Sequence, residues 1–438
     1  MQFPKILQRK YVYTDNDYVI LIMKSKLLVT YIIVNWERLT LAFRIPAFRW
    51  LWASSLAGAA GFQPFMIGQG WLLYELTASP FMVGLAPALG AASNLILTPI
   101  WGIISDRLDR RKLMMISQFV VGISIFMIGI LVVNDIVQIW HILLLSVTQR
   151  TGMSLQRTAG KPFTFSVVGR KAFMNATAAQ FLSSQGAGLV GPISAGFIIM
   201  SFGVGYLFLI LGFIILVGIL PLFRVQSIAI KNRVNKSLTQ DFREALKFVK
   251  NEKSLRSILW TVLVTESLGY STWSMFPVVA VSLLGGDAIT LGLLGTFRGL
   301  GGVVGAITIS SFGDVKMKGS ILWGGACLFG IALIAFSFSH NPYLSYALVS
   351  AIGIVAVIYD ITANTLLLSL CPEEMRGRIM AIYGIVMTGI GFGSLGMGAV
   401  AGWLGVNWAI FGGGSVVTTN ALAHMPMASI VNSQGQKH

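Results

Sequence analysis

From about residue 50 to residue 427 the chain is a succession of apolar runs, and nearly all its lysines and arginines there fall in every second gap between them. Runs of about 20 residues suit a helix that must cross a hydrocarbon layer about 30 Å thick. Inside that layer no water is present to satisfy backbone N–H and C=O groups, so a lipid-exposed spanning segment must be helical or belong to a closed barrel. The composition leaves little alternative. The chain is 55% hydrophobic and 11% charged, against about 25% charged residues in an ordinary soluble domain. A water-soluble fold could not hide so much apolar surface.

Twelve windows qualify as spans: 50–74, 80–104, 113–133, 137–156, 174–200, 204–223, 257–282, 288–312, 320–338, 343–370, 379–402 and 407–427. The expected fold class is therefore an all-α polytopic membrane protein with twelve transmembrane helices in two six-helix pseudo-repeats. The last window, "AIFGGGSVVTTNALAHMPM", is the weakest, and it is kept because the sorting of charge requires an even count. The expected organisation is a cytoplasmic N-terminal extension (1–46), an N-terminal six-helix bundle (47–224), a cytoplasmic linker (225–254), a C-terminal six-helix bundle (255–427) and a cytoplasmic tail (428–438). Within the extension, "YVILIMKSKLLVTYIIV" is interrupted by Lys24 and Lys26 and reads as an interfacial or disordered segment, with a thirteenth span as the alternative. Within the linker, Leu238, Phe242, Ala245, Leu246 and Val249 share one helical face, which reads as an amphipathic helix on the inner leaflet.

The halves echo each other. "SFGVGYLFLILG" (201–212) aligns without gaps on "WLGVNWAIFGGG" (403–414), and at the same offset Gly191 and Gly196 meet Gly393 and Gly398. Duplicated six-helix halves are a transporter architecture.

Cations are excess on one side only. The connections 2–3, 4–5, 6–7, 8–9 and 10–11 and the N-terminal segment hold the positive charge, while the opposite set carries only Glu75, Asp135, Asp287 and His340. The positive-inside rule then places both termini and the basic connections in the cytoplasm of a cell-membrane protein. The net charge of +16 is accounted for by this sorting, so no nucleic-acid partner is expected. Two cysteines, Cys327 and Cys371, give no disulfide framework. Hydrolase, zinc-protease and P-loop motifs are missing and the four histidines are scattered. No catalytic residues, cofactor or metal are expected, and uphill work would have to draw on an ion gradient, with protons the expected partner. The remaining expected partners are the lipid bilayer and a small-molecule substrate, and a monomer suffices.

Four ionisable residues fall inside spans: Arg150, Glu266, Arg298 and Asp360. Such residues cost about 2.5–3.5 kcal/mol each at a helix centre on insertion scales and face the bundle interior. Glu266 and Arg298 lie nine or ten residues from their span ends, or about 15 Å deep, on consecutive helices, so a pair is reachable. Its readings are a proton or substrate site, or a structural ion pair. Gln63, Asn94 and Gln185 join them at mid-depth, as substrate contacts or as interhelical hydrogen bonds. The fifth span contains "GAGLVGPISAG", whose Gly186, Gly191, Pro192 and Gly196 weaken the helix and let a neighbour approach.

"GIISDRLDRRK" resembles the signature of the major facilitator superfamily between helices two and three, with Gly102, Asp106, Arg107, Arg110 and Arg111 in matching places. The resemblance implies a cytoplasmic latch between halves that involves helix eleven, where "MRGRIMAIYG" would supply the facing end. The second-half copy, "SSFGDVKMKG", keeps Gly313 and Asp314 but lacks the following arginine, which implies a weaker latch. "FRWLW", "WLLYELTASPFMVGL", "NATAAQFLSSQGAGLVGP" and "PEEMRGRIMAIYG" resemble an exporter branch that includes the enterobactin exporters. The fifth-span motif resembles one associated with antiporters. "QRTG" around Arg150 resembles a helix-four motif tied to proton coupling, from which its downstream part departs.

The resemblance implies a secondary active transporter, a proton-coupled exporter of a small amphipathic drug or siderophore-like compound working by alternating access. An importer of a metabolite or peptide shares the fold, and a polytopic membrane enzyme or receptor is the reading from another class. The charge sorting makes a direct prediction. In a cysteine-free background, Arg110→Cys should react with an impermeant maleimide only after permeabilisation, and Asp135→Cys in intact cells. The reverse pattern contradicts the orientation.

Overall fold

A computed structural model describes residues 41–226, 238–311 and 317–434; within these, a few side chains, including those of Asp106, Arg107 and residues 238–241, are not described. The expectations for the N-terminal extension up to residue 40 and for Asp314 lie outside the described residues.

The described chain is almost wholly helical. Helix α1 is Pro46–Thr77, α2 Pro80–Arg107 and α3 Arg110–Val133. The 64-residue stretch Ile139–Phe202 bends at Gly169, whose φ of 68° favours glycine, and so supplies two helices, α4 (139–168) and α5 (170–202). Helix α6 is Val204–Val217. After it come the linker helix α7 (Leu238–Asn251) and α8 (Lys253–Val264). The second half continues with α9 (Ala288–Ser311), α10 (Lys318–Ser337), α11 (Pro342–Ser369), α12 (Arg376–Val386), α13 (Gly389–Leu404), α14 (Val406–His424) and α15 (Met427–Gln434). Eight of these stretches are long and apolar enough to cross a bilayer on length and composition, one of them the double helix 139–202. With α1, the broken seventh span and α14, twelve crossings result among the described residues.

Local chemistry explains the boundaries. Pro46 and Pro80 sit at helix starts, where a missing N–H costs nothing. Ala78 closes α1 in the left-handed conformation, so two residues suffice to turn into α2. Asp109 caps α3 by accepting the Arg111 N–H at 2.9 Å. The seventh span is broken: after α8 come a π turn (Thr265–Gly269), a 3-10 segment (Tyr270–Met275), one helical turn (Phe276–Val278) and a second π turn (Val279–Leu283). Pro277 lacks a donor there, and the Phe329 ring fills the space a side chain at Gly269 would need.

The internal repeat is expressed in the backbone. Gly203 and Gly405, aligned in the two halves, both take a φ near +90° (91° and 93°) where one spanning helix turns into the next. The aligned glycines also make equivalent contacts across the halves. A Cβ at Gly196 would strike the Ala288 carbonyl at the start of α9, and a Cβ at Gly398 would crowd the Pro80 carbonyl at the start of α2, 2.5 Å away. Likewise Gly292 lies against Pro192, and Gly84 against Ser394. Thus α5 packs along α9 and α2 along α13, related by the pseudo-repeat. The glycine-rich α14, the weakest window in sequence, is a full helix. Gly413 and Gly414 let its backbone approach the carbonyls of Leu268, at 2.6 Å from a would-be Cβ, and Gly330, at 2.8 Å.

Two flanking segments are helical and pack against the bundle. Residues 427–434 of the expected tail form α15, with Val431 fully buried. Asn432 accepts the Gly319 N–H at 2.8 Å and so satisfies the open start of α10. Helix α7 turns Ala245 and Val249 inward, leaves Phe242 and Leu246 exposed, and is tied to α12 by the Arg378–Glu244 ion pair at 2.7 Å.

Close approach at Gly301 predicts a stability contrast. A Cβ there would collide with the Ser350 carbonyl of α11, whereas Gly384 has nothing within 4 Å. Gly301→Ala should cost about 1–3 kcal/mol, read as a lower unfolding temperature in detergent. Gly384→Ala should be neutral or slightly stabilising. Equal behaviour of the two contradicts this contact.

Candidate functional site

The crossings between halves lie toward the end of the bundle whose connections carry no lysine or arginine. Along α2 and α13 they run from Pro80–Gly398 to Ala91–Gly391, and along α5 and α9 from Gly196–Ala288 to Gly188–Gly299. Toward the opposite, basic end the halves part. Gly186 and Gly384 have no neighbour in reach, and Arg157 and Gly384, on facing walls, are exposed. The space enclosed is a mainly apolar cavity with polar side chains set into it, in two adjoining parts of about 280 Å³ and about 220 Å³, which share Met66, Pro87, Ser274 and Ile390.

The larger part lies against Gln63, Gln69, Pro192, Trp273 and Arg298. The Arg298 guanidinium sits over the Trp273 ring, 2.9 Å from its centroid, a cation–π arrangement that replaces water at the charge. Gln69 donates to Ser146 of α4, and Gly188 leaves room for the Gln63 amide, 3.5 Å from a would-be Cβ. The smaller part lies against Asn94, Arg150, Arg157, Tyr270 and Thr388. Gly90 makes room for Arg150, since a Cβ there would stand 2.9 Å from the arginine Cγ. Arg150 donates to the Met66 sulfur at 3.0 Å and faces the Phe62 ring.

Behind the wall formed by Tyr270, Trp273 and Arg298 lie the two carboxylates. Glu266 is 1% exposed in the π turn of the broken seventh span, and Asp360 is on α11. They are close enough to Arg298 to feel its charge, but no contact within 4 Å joins either to it. Buried polar atoms without a protein partner concentrate here: Glu266 Oε1, Asp360 Oδ1, Arg298 Nε, Tyr359 Oη, Thr265 Oγ1 and Trp273 Nε1. Such groups are costly to bury, and π turns inside helices are frequent at functional sites. Around them, Tyr270 donates to the Ala356 carbonyl at 3.1 Å and Asn364 donates to the Tyr383 hydroxyl at 3.0 Å.

The structure thus gathers Gln63, Asn94, Arg150 and Arg298 on the cavity and sets Glu266 and Asp360 just behind it. Gln185 is half-buried on α5 and is not part of either wall. Of the helix-five motif, Gly191 packs on Pro64, Pro192 on Gly292 and Gly295, and Gly196 on Ala288, while Gly186 meets nothing. In the signature between α2 and α3, Gly102 lies in α2. Arg110 donates to Ser166 at 2.9 Å and to the Pro162 carbonyl at 3.3 Å, and Arg111 donates to the Phe223 carbonyl at 3.0 Å. These two arginines therefore bond within the first half. Among the described residues no cluster of three metal-ligating side chains occurs.

Sequence reading missed Arg157 and Trp273. Arg157 falls just past the window 137–156 and counts there as loop charge, yet α4 continues to residue 168. Its spacing of seven from Arg150, which returns to the same helical face, was the available signal. Trp273 carries no charge and gives no such signal.

With this geometry in view, the chain can be set beside known proteins. It matches the family described as transmembrane secretion effector over residues 40–434. It is 22% identical to the enterobactin exporter EntS of Citrobacter koseri over 309 residues, covering 70% of this chain and 74% of that protein. It is 22% identical to the uncharacterized MFS-type transporter YfiS of Bacillus subtilis over 357 residues, covering 77% and 82%. Among solved structures, a bacterial homologue of the human lysosomal transporter Spinster, in an inward-facing and unoccupied conformation, superposes with a TM-score of 0.66 at 13% identity over 90% of this chain and 97% of its own. The nucleoside transporter NupG gives 0.66 at 13% identity over 87% and 98%.

Proposed function

The chain belongs to the transmembrane secretion effector family of the major facilitator superfamily, a multi-pass membrane transporter, and we propose that it exports a small amphipathic compound in exchange for protons by alternating access. The observation that carries the reading is the pair of carboxylates, Glu266 and Asp360, set behind a cavity that lies between the two halves. A carboxylate buried with an unpaired oxygen is relieved by a proton or by a cation. Arg298, over Trp273 and between the carboxylates and the cavity, can serve as that cation in one state and face substrate in another.

The basic end is assigned to the cytoplasm, so the cavity as it stands accepts substrate from inside. Closing it requires the halves to rock about the α2–α13 and α5–α9 crossings. Proton binding drives this only if the proton is held more tightly in one state than in the other. The broken seventh span places Glu266 where a backbone rearrangement and a change in proton affinity coincide. The apolar part of the cavity, with Met66, Ile67 and Phe276, suits an amphipathic molecule. EntS relatives are named as exporters, which favours outward transport over import.

Reconstituted transporter in liposomes tests both coupling and direction. Flux of a panel of amphipathic compounds should follow an imposed pH gradient in the wild type. Glu266→Gln and Asp360→Asn should lose gradient-driven accumulation by at least about tenfold while retaining counterflow exchange. Wild-type accumulation that ignores the gradient, or carboxylate variants that still concentrate substrate, would overturn proton coupling. Net flux toward the cytoplasmic face would overturn export.

A further inference from the structure

Two arginines of α4 project into the cavity from one helical face, and neither has an anionic partner among the described side chains. Arg150 and Arg157 are seven residues apart, which is two turns and about 10 Å along the helix, and both contribute to the same part of the cavity. Arg150 is met by a methionine sulfur and an aromatic ring, and no described carboxylate approaches either guanidinium within 4 Å. The carboxylates of the cavity region, Glu266 and Asp360, stand near Arg298 instead. The same part of the cavity also presents Asn94, Thr388 and Ser394 among mainly apolar side chains, none of which supplies negative charge.

A partly buried guanidinium such as Arg150, with a second cation beside it and no described counter-ion, is costly unless something negative arrives. Guanidinium groups bind carboxylate, sulfonate or phosphate through paired N–H donors. The structure also makes room for Arg150 at α2: Gly90 lets its stem lie against the helix. We propose that Arg150 and Arg157 form a two-point anion site in the wall of the cavity, and that the compound carried bears an acidic group which this site holds. The substrate class in that statement rests on the export reading of the cavity; the anion site does not.

The polarity of the cavity follows. The acidic group lies toward the basic end, against α4, and the apolar body points toward Met66 and Phe276 in the deeper part. Arg157, exposed on the cavity wall, is the first of the two that a ligand entering from that end meets.

The test uses three probes of one shape and different charge: 1-naphthoate, 1-naphthamide and 1-naphthylmethylamine. Their binding to the full chain in nanodiscs of neutral lipid is measured by calorimetry. The wild type should prefer naphthoate, and the preference should shrink as salt rises. Arg150→Gln and Arg157→Gln should each weaken naphthoate by about tenfold and leave naphthamide within about twofold. Arg157→Lys should keep most of the naphthoate binding. Because Arg157 is exposed, its variants keep the test open should Arg150→Gln fail to fold. Equal or absent binding of the three probes by the wild type overturns the site, as does a loss of naphthamide that matches the loss of naphthoate. Charge-selective binding without gradient-driven flux upholds the site while the export reading falls. Flux without charge selectivity overturns the site alone.

Discussion

The two halves of this transporter are joined where glycine lets one helix backbone rest on another. In lipid the apolar side chains gain little by meeting each other rather than acyl chains, so association depends on close contact between helices and on polar interactions. Gly84 against Ser394, Gly196 against Ala288 and Gly398 against Pro80 supply that closeness at one end of the bundle. Because these contacts are backbone against backbone, they tolerate rotation about the crossing better than interlocked large side chains would. Everything else in the proposed mechanism depends on this: the cavity exists because the crossings stop partway along the helices, and it can close because they form a pivot.

The second determinant is how charge is distributed once the helices have assembled. Insertion removes cations from one end and from most of the interior, so the few that remain inside stand out. Arg298 is covered by the Trp273 ring and faced by two carboxylates at a distance, whereas Arg150 faces the Phe62 ring and, among the described side chains, no carboxylate lies within 4 Å of Arg150 or Arg157. The first-half wall of the cavity therefore presents Arg150 and Arg157, and the second-half wall presents Arg298 with the two carboxylates behind it. A proton and an acidic solute could occupy these walls in turn, and each would alter the cost of leaving the other empty.

Much of the fold was legible because insertion into lipid acts on features of single residues. Charge-free length gave the spans, the position of lysine and arginine gave an even count, and aligned glycines gave the repeat, down to the matching φ of Gly203 and Gly405. The site was less legible. Gln63, Asn94, Arg150 and Arg298 were found because polar groups in oily runs are rare, but Gln185 looked the same in sequence and lies outside the walls. Arg157 was hidden because α4 extends past the hydrocarbon thickness, so a residue read as loop is a cavity residue. The π turn at Glu266 ends at Gly269, against which the Phe329 ring packs, a tertiary contact that no local pattern encodes. The signature arginines Arg110 and Arg111 show the same limit: the motif was evident, while their bonds to Ser166 and Phe223 within one half were not.

The central claim is that the halves pivot, closed at one end when open at the other. Pulsed electron spin resonance between labels at Leu108 and Gly377, at the basic end, and at Glu75 and Trp403, at the opposite end, tests it most directly. On acidification the account predicts that the two distances change in opposite senses, one shortening as the other lengthens. Distances that both stay fixed, or that lengthen together, would contradict it.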